Sequence, residues 1–346
     1  MDTSKQVFQL HGVSEAETPV LRKQLKRKDV LSFYGRLPAT QVAIEACGAS
    51  HYWARELTKL GHTVKMIAPQ LSKPYVKRGK NDAADAEALC EAMSRPTMRF
   101  VPVKSAEQQA ALMLAGERQR LVRQHTQLIN TIRGYGAEFG LTAAKGVSHV
   151  VPLLKDLCAD PTLPTLARTL FAEHANELKA LDERIKKVDE QLLAWSKSNE
   201  MARRLAAVPT IGPVISAMLV MKTPDPEAFR SGRDYAAWIG LTPKDHSTAG
   251  KVRQGGITRA GDETLRSLLV VGATSVIAHT KRGYLKHPMP WLVTLLERKE
   301  PKLAAVALAN KIARIAWKLM VSGQTYDRTR ARPELAAGTA AVAAAA

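Results

Sequence analysis

The chain has 346 residues, 45% of them hydrophobic, which excludes global disorder and leaves room for two or three domains. Lys plus Arg number 51 against 32 Asp plus Glu, and the resulting net charge of +19 points to nucleic acid or an anionic surface as partner. Three widely spaced cysteines, Cys47, Cys90 and Cys158, make neither a disulfide framework nor a zinc pattern and fit a reducing, cytoplasmic setting. No signal peptide opens the sequence and no apolar run approaches the roughly 18 residues of a membrane span, so no membrane partner is expected and nucleic acid gains weight.

In chain order, residues 1–104 read as an α/β unit. Gln6 to Val13 and Thr40 to Ala46 are rich in β-branched and aromatic residues and predict strands. Arg22 to Lys28 reads as a solvated helix or turn. His51 to Leu60 predicts a helix that ends at Gly61, and His62 to Ala68 another strand stopped by Pro69. Asp82 to Met93 predicts a helix with Asn81 as its N-cap.

Residues 105–200 predict long helices. Leu178, Leu181, Ile185, Val188, Leu192 and Trp195 alternate three and four apart, the spacing of a coiled-coil seam. Leu114, Leu121, Leu128 and Ile132 form a weaker partner, interrupted by Arg118 and His125, which are costly in such a seam. A Pro- and Gly-punctuated linker, 140–164, separates the two. The pattern fits an intramolecular hairpin and an oligomerisation arm equally. Residues 201–326 predict a further, mainly helical unit. Within it, Val208-Pro209-Thr210-Ile211-Gly212 resembles a helix-hairpin-helix turn with Thr210 where a glycine is usual. Trp238 is expected in the core, and 327–346 forms a frayed Ala-rich tail.

Four carboxylates stand out against the basic background. Asp2 opens the first strand, Glu45 ends another, and Asp82 and Asp85, three apart, share one helix face. Each alone has an ordinary reading: Asp82 as a helix-start acid, Asp85 as a solvated charge. Together at the ends of α/β elements they need a proton or a cation, because like charges about 4 Å apart repel by about 4 kcal/mol at an effective dielectric near 20. An all-oxygen cluster suits Mg²⁺ and phosphoryl chemistry.

The segments Asp2-Thr3-Ser4-Lys5, Ile44-Glu45-Ala46-Cys47-Gly48 and Asn81-Asp82-Ala83-Ala84-Asp85-Ala86 resemble the DEDD transposases of bacterial insertion sequences, the family named one-hundred-and-ten and within it the eleven-eleven subgroup. The resemblance runs over almost the whole chain. It implies an RNase H/RuvC-like α/β N-terminal domain, a helical coiled-coil middle and a mainly α C-terminal transposase domain. It also implies that Asp2, Glu45, Asp82 and Asp85 hold Mg²⁺, with Mn²⁺ as a substitute. Family members carry several residues before the first aspartate, including a Gly-Ile-Asp step, whereas Asp2 here follows Met1 directly. Asp2 is therefore expected to be the least anchored of the four, and the start of the chain to be truncated or the strand weakly held.

The second constellation runs from Gly240-Leu241-Thr242-Pro243-Lys244-Asp245-His246-Ser247-Thr248-Ala249-Gly250-Lys251 through Arg253 and Arg259 to Gly261. From the residues alone it is a flexible basic loop that binds phosphate without chemistry. The resemblance implies a nucleophilic serine after Gly-Leu-Thr-Pro: Ser247 matches, Thr248 is its nearest rival, and His246 is structural or phosphate-contacting. Lys5, Lys244, Lys251, Arg253, Arg259 and Arg266 are the expected nucleic-acid contacts.

The resemblance further implies a recombinase in which a noncoding bridge RNA pairs with donor and target double-stranded DNA. It implies a homo-oligomer, a dimer assembling as a dimer of dimers on DNA, whose composite site joins one protomer's acidic domain to another's serine domain. The expected location is the bacterial cytoplasm, at the nucleoid when active. Two other readings stand beside it: a RuvC-like, metal-dependent nuclease that uses water on branched DNA, and a catalytically inactive nucleic-acid scaffold.

Overall fold

The computed structural model describes residues 1–77, 81–284 and 289–327, so the Ala-rich tail expected at 327–346 lies, apart from Asp327, outside the described residues. The chain divides into two compact units, Met1–Gln109 and Ala110–Ala346.

The first unit is built on strands β1 (Asp2–Thr3), β2 (Val7–Val13), β3 (Pro19–Lys26), β4 (Gln41–Glu45), β5 (Thr63–Ile67) and β6 (Phe100–Val101). Helices α1 (Val30–Tyr34), α2 (Ser50–Lys59), α3 (Pro69–Ser72) and α4 (Asp82–Met93) connect them. β1, β2 and β3 form an antiparallel ladder, with Asp2 opposite Gln9 and Phe8 opposite Leu25. β4 and β5 pair in parallel, and β6 closes the second ladder antiparallel to β5. The Met1 ammonium donates to the Ala43 carbonyl at 2.8 Å, which sets β1 beside β4 and joins the two ladders.

The Lys/Arg-rich stretch Arg22–Lys28, expected as a solvated helix or turn, is solvated, but its first five residues belong to the edge strand β3 and only Arg27 and Lys28 enter a short 3-10 helix. Its pairing with β2 satisfies one side of its backbone, and the basic side chains on the free edge discourage further strand addition.

Pleating sorts the side chains of β4. Val42 and Ile44 enter a core with Met1, Phe8, Trp53 and Leu57, on the α2 side of the sheet. Ala43 faces the other way, into a cluster with Ile67, Leu89 and Ala92, on the α4 side. Asn81 caps α4 as the sequence predicts, its Oδ1 accepting from Ala84 N at 2.8 Å. Gly61, at φ +90°, closes the turn after α2.

The second unit is helical apart from one hairpin. It comprises α5 (Ala106–Glu138), α6 (Val150–Ala159), α7 (Thr165–Ser198), α8 (Glu200–Ala206), α9 (Pro213–Lys222), α10 (Gly232–Ile239), strands β7 (Pro243–Asp245) and β8 (Gln254–Ile257), α11 (Glu263–Lys281), α12 (Pro290–Arg298) and α13 (Pro301–Ser322). The linker expected at 140–164 holds α6, whose Val150, Leu153, Leu154 and Leu157 are buried.

α5 and α7 run antiparallel within the chain. Leu121, Leu128 and Ile132 of one and Leu178, Leu181, Val188 and Leu192 of the other are buried in one core. The two polar interruptions of the seam each meet an acid from the opposite helix. Arg118 Nε donates to Asp189 Oδ1 at 2.6 Å, and His125 Nε2 lies 3.0 Å from Asp182 Oδ1. Their positions fix the hairpin's register, because a slip of one turn would strand both basic groups beside apolar neighbours.

In the turn between α8 and α9, Thr210 adopts φ +82°, the conformation a glycine takes at this point of a helix-hairpin-helix. Its carbonyl packs against Gly272 of α11 so closely that a Cβ there would stand 2.6 Å from it. Trp238, expected in the core, stacks on buried Tyr235 with centroids 5.7 Å apart but remains 38% exposed.

One buried histidine makes the first unit sensitive to acid. His51 of α2, 8% exposed, accepts from Lys104 N at 3.1 Å through Nδ1 and so holds the segment after β6. Burial, then Lys104 and Arg55, lower its pKa from 6.5 to about 4. The unfolded chain therefore binds a proton between pH 6.5 and 4 that the folded chain refuses, and stability falls as pH falls through that window. At most about 3 kcal/mol is at stake, reduced by solvent screening at the ring. Urea midpoints measured at pH 7 and 4.5 are expected to differ less in His51→Gln, which keeps an acceptor but cannot charge, than in the parent chain. Equal acid sensitivity would remove His51 from this role.

Candidate active site

The parity of two short strands decides where the acidic side chains go. Met1 enters the α2-side core, so Asp2 points to the opposite face. Ala43 faces the α4 side, so Glu45, two residues on, faces it as well. α4 lies against that face and brings Asp82 and Asp85 in its first turn, where the helix dipole favours carboxylates. The four residues that the sequence singles out thus lie on the same face at one edge of the sheet.

Their mutual influence appears in their acidity. Asp2 is raised above the ordinary aspartate range, first by burial and then by Asp82, with Asp85 adding to it. Glu45 is raised by burial, then by Asp2 and Asp85, while Lys73 and a hydrogen bond with Ser72 pull the other way. Among the described residues no three His, Cys, Asp or Glu side chains are drawn close enough to enclose a metal ion. The donor set still fits a hard divalent cation: four carboxylates, all oxygen, two of them raised first by burial and then by neighbouring aspartates.

Asp2 is better held than the sequence leads one to expect. Met1 is only 4% exposed, its ammonium is bonded to Ala43, and Asp2 itself is paired across to Gln9. Burial pulls the ammonium's pKa down to about 6. Thr3 Oγ1 lies 3.2 Å from Cys47 Sγ and ties the end of β1 to the loop that follows Glu45. Ser72 and Lys73, which temper Glu45, were not singled out by sequence reasoning; nothing in their local pattern marks them, because β5 and α3 carry them there.

Ser247 sits in the second unit on an ordered hairpin rather than a flexible loop. β7 and β8 pair, the ladder continues through His246 N to Arg253 O at 2.8 Å, and Thr248 and Lys251 exchange both backbone bonds. Ala249 (φ 49°) and Gly250 (φ 79°) make the tip, two successive left-handed residues that match the strand twist. At the base, Gly261 (φ 103°) passes so near the Trp238 carbonyl that a Cβ would overlap it.

Ser247 is exposed, its Oγ accepting from Arg253 N at 3.1 Å and its N donating to Asp245 Oδ1 at 2.9 Å. Hydrogen bonds from the Ser247 side chain and backbone hold Asp245 below the ordinary aspartate range, so it stays ionised beside the hydroxyl. Asp245 was missed as a positioning residue, although an Asp two residues before a Ser is the sequence mark of such a turn. His246 packs against Gly255. Lys244, Lys251, Arg253 and Arg259 are exposed around the hairpin, and Lys5 is exposed in the first unit. Arg266 differs: its Nη1 donates to the Ile239 carbonyl at 2.9 Å and closes the end of α10.

Raised carboxylate pKa values mean that the folded state loses stability as pH rises above the ordinary carboxylate range, and that a bound cation restores it. Millimolar Mg²⁺ at pH 7.5 is expected to raise the melting temperature by the equivalent of about 1–3 kcal/mol. Asp85→Asn is expected to melt higher than the parent without metal and to gain little from Mg²⁺. An undiminished Mg²⁺ response in that variant would rule out this cluster as the binding site.

Comparison with known proteins agrees with both halves of the chain. Residues 1–135 match the DEDD transposase family, and residues 202–287 match the description "Transposase IS116/IS110/IS902 family". The Sinorhizobium fredii protein named as transposase y4pF/y4sB is 61% identical over 334 residues, 96% of this chain and 86% of that one. The transposase for insertion sequence element IS1111A of Coxiella burnetii is 38% identical over 94% of this chain and 90% of its own length. The transposase for IS1328 of Yersinia enterocolitica is 34% identical over 95% and 98%. The DEDD family implies dependence on a divalent metal, in keeping with the converging carboxylates. The chain belongs to the IS116/IS110/IS902 family of insertion-sequence transposases.

Proposed function

We propose that this transposase exchanges DNA strands through a covalent phosphoserine link, using Ser247 as nucleophile and the cluster Asp2, Glu45, Asp82 and Asp85 to hold Mg²⁺ or Mn²⁺. The observation that carries the reading is the placement of four carboxylates on one sheet face, two of them raised by burial and then by neighbouring aspartates, in a chain of net charge +19. The strand order β3-β2-β1 followed by β4-β5, with β1 beside β4, supports an RNase H/RuvC-like fold for residues 1–104. Residues 105–200 act as the helical arm and 201–326 as the serine domain.

When bound, the cation supplies charge neutralisation at a DNA phosphate and lowers the barrier to losing the serine proton. The chain's own part is positional. Arg253 N and Asp245 fix Ser247 at the hairpin's exposed edge. Lys244, Lys251, Arg253 and Arg259 neutralise the flanking phosphates. Ser247 Oγ forms a bond to phosphorus, one backbone P–O bond breaks, the serine proton passes to solvent, and the leaving sugar oxygen takes a proton from solvent to depart as a free hydroxyl. After exchange a sugar hydroxyl attacks the phosphoserine, the Oγ–P bond breaks and Ser247 regains a proton.

A bridge-type noncoding RNA pairing with donor and target duplexes supplies the sequence selectivity, and the basic protein reads backbone and shape. The acidic domain of one protomer and the serine domain of another complete the site in a dimer, and two dimers assemble on DNA. The enzyme works in the bacterial cytoplasm, at the nucleoid.

Incubation with Mg²⁺, the RNA that copurifies with the protein, and donor and target DNA is expected to yield a protein–DNA adduct on denaturing gels. Ser247→Ala is expected to lose adduct and strand cleavage together, by at least about 10³-fold if the hydroxyl is the nucleophile, and Asp85→Asn to lose both as well. Cleavage that survives in Ser247→Ala without an adduct would instead establish a nuclease that uses water. Cleavage absent from the parent chain under all conditions would leave the inactive scaffold.

A further inference from the structure

Helix α13 carries Lys302, Lys311, Arg314 and Lys318 and not one acidic residue. Lys311, Arg314 and Lys318 recur at intervals of three and four, so they form a single exposed stripe. Like charges at that spacing repel, and a stable helix normally intersperses acids among them. Here none of the three joins an ion pair among the described residues.

The stripe lines an open groove of about 900 Å³, closed on its other sides by Ser231, Gly232 and Arg233 at the start of α10 and by Trp291 of α12. No Asp or Glu contributes to its walls. The groove is built rather than incidental. Trp317 is pinned by its indole N–H to the Pro226 carbonyl at 2.9 Å. Gly232 lets α10 approach α13 so closely that a Cβ would stand 3.1 Å from Trp317 and 3.2 Å from the Arg314 carbonyl. Lys311 Nζ is held 4.2 Å above the Trp291 ring. Partial burial, and then Arg314, hold the Lys311 ammonium below the ordinary lysine range, so an anion placed there meets a partly desolvated cation.

We propose that the α10–α12–α13 groove is a second nucleic-acid site, separate from the Ser247 hairpin, that grips a phosphodiester backbone through Lys311, Arg314, Lys318 and Arg233. Adjacent phosphates along one strand supply the repeated anions that three cations along α13 and Arg233 on the facing wall require, and a cleft without acids has no competing internal partner. The 38% exposed indole of Trp291 borders the path and adds contact to a sugar or base edge. The site takes a strand by its backbone, so it tethers nucleic acid and does not read sequence. It rests on the proposed function only for the identity of the polymer.

The test uses the full chain and fluorescein-labelled 20-nucleotide RNA, single-stranded DNA and duplex DNA in parallel anisotropy titrations from 0.05 to 0.5 M salt. The triple variant Lys311→Gln, Arg314→Gln, Lys318→Gln is compared with Lys179→Gln, Lys186→Gln, Lys187→Gln, which removes the same charge from the exposed face of α7. For the polymer that occupies the groove, the first variant is expected to bind at least about tenfold more weakly at 0.15 M salt, with a log K against log salt slope shallower by about 2–3. The α7 variant is expected to bind nearly as the parent does. The arm that shows the change identifies the occupant as RNA, single strand or duplex. A 5-iodouracil-substituted probe on the unaltered chain is expected to cross-link within 290–320, which keeps the test independent of whether the triple variant folds. Equal losses in the two variants, or cross-links confined to the hairpin, would overturn the site. Failure of the parent chain to bind any of the three polymers would count instead against the nucleic-acid function as a whole.

Discussion

The first unit depends on one short join, the bond from the Met1 ammonium to the Ala43 carbonyl. It places β1 beside β4 and sets the parity of both. With Met1 committed to the core, Asp2 has no choice of face; with Ala43 on the α4 side, neither has Glu45. A slip of one residue in either strand would turn its carboxylate into the apolar cluster around Phe8 and Trp53 and expose a large side chain in exchange. The core therefore aims the acids. Packing of α4 on the same face adds Asp82 and Asp85 at the end of the helix whose dipole tolerates them best.

The second unit places Ser247 by different means. A two-residue tip of left-handed conformation, an aspartate that folds back onto the Ser247 amide, and a glycine close to a neighbouring carbonyl stiffen what composition alone describes as a loose basic loop. Stiffness suits the role proposed for Ser247, because much of the barrier to a displacement can be met by orientation. The same unit keeps its excess charge organised. Arg118 pairs with Asp189 and His125 faces Asp182 across the α5–α7 hairpin, and Arg266 is bound to a carbonyl, whereas the α13 stripe and the hairpin cations are left facing outward. Basic residues that serve the fold and those free for a polyanion are thus separable by their partners.

Several features were legible in the residues because they depend on neighbours in sequence. The strands around Phe8 and Ile44, the helix capped by Asn81, the left-handed turn at Gly61 and the heptad spacing from Leu178 to Trp195 all follow from alternation, capping or periodicity. The transposase family was legible as well, from three short acidic segments and the Gly-Leu-Thr-Pro run, and the relatives over the full length agree. Where local reading went astray, the missing information was long-range. Arg22 to Lys26 reads as helix or turn by composition, and it becomes a strand only because β2 offers a free edge. The 140–164 linker looks irregular, yet Leu153, Leu154 and Leu157 find a core to enter.

By itself the sequence determined the classes of element, the excess of positive charge, the carboxylates and serine worth watching, and the family. These are properties of composition and of spacing over a few residues. Only the tertiary structure decided that Asp2 is anchored, that the α5 and α7 seams meet antiparallel in one chain, that Asp245 orients Ser247, and that Lys311, Arg314 and Lys318 share an acid-free groove with Arg233. Each of these joins residues dozens of positions apart or depends on which partner a charge finds, and such pairings are settled by the packing of whole faces against one another.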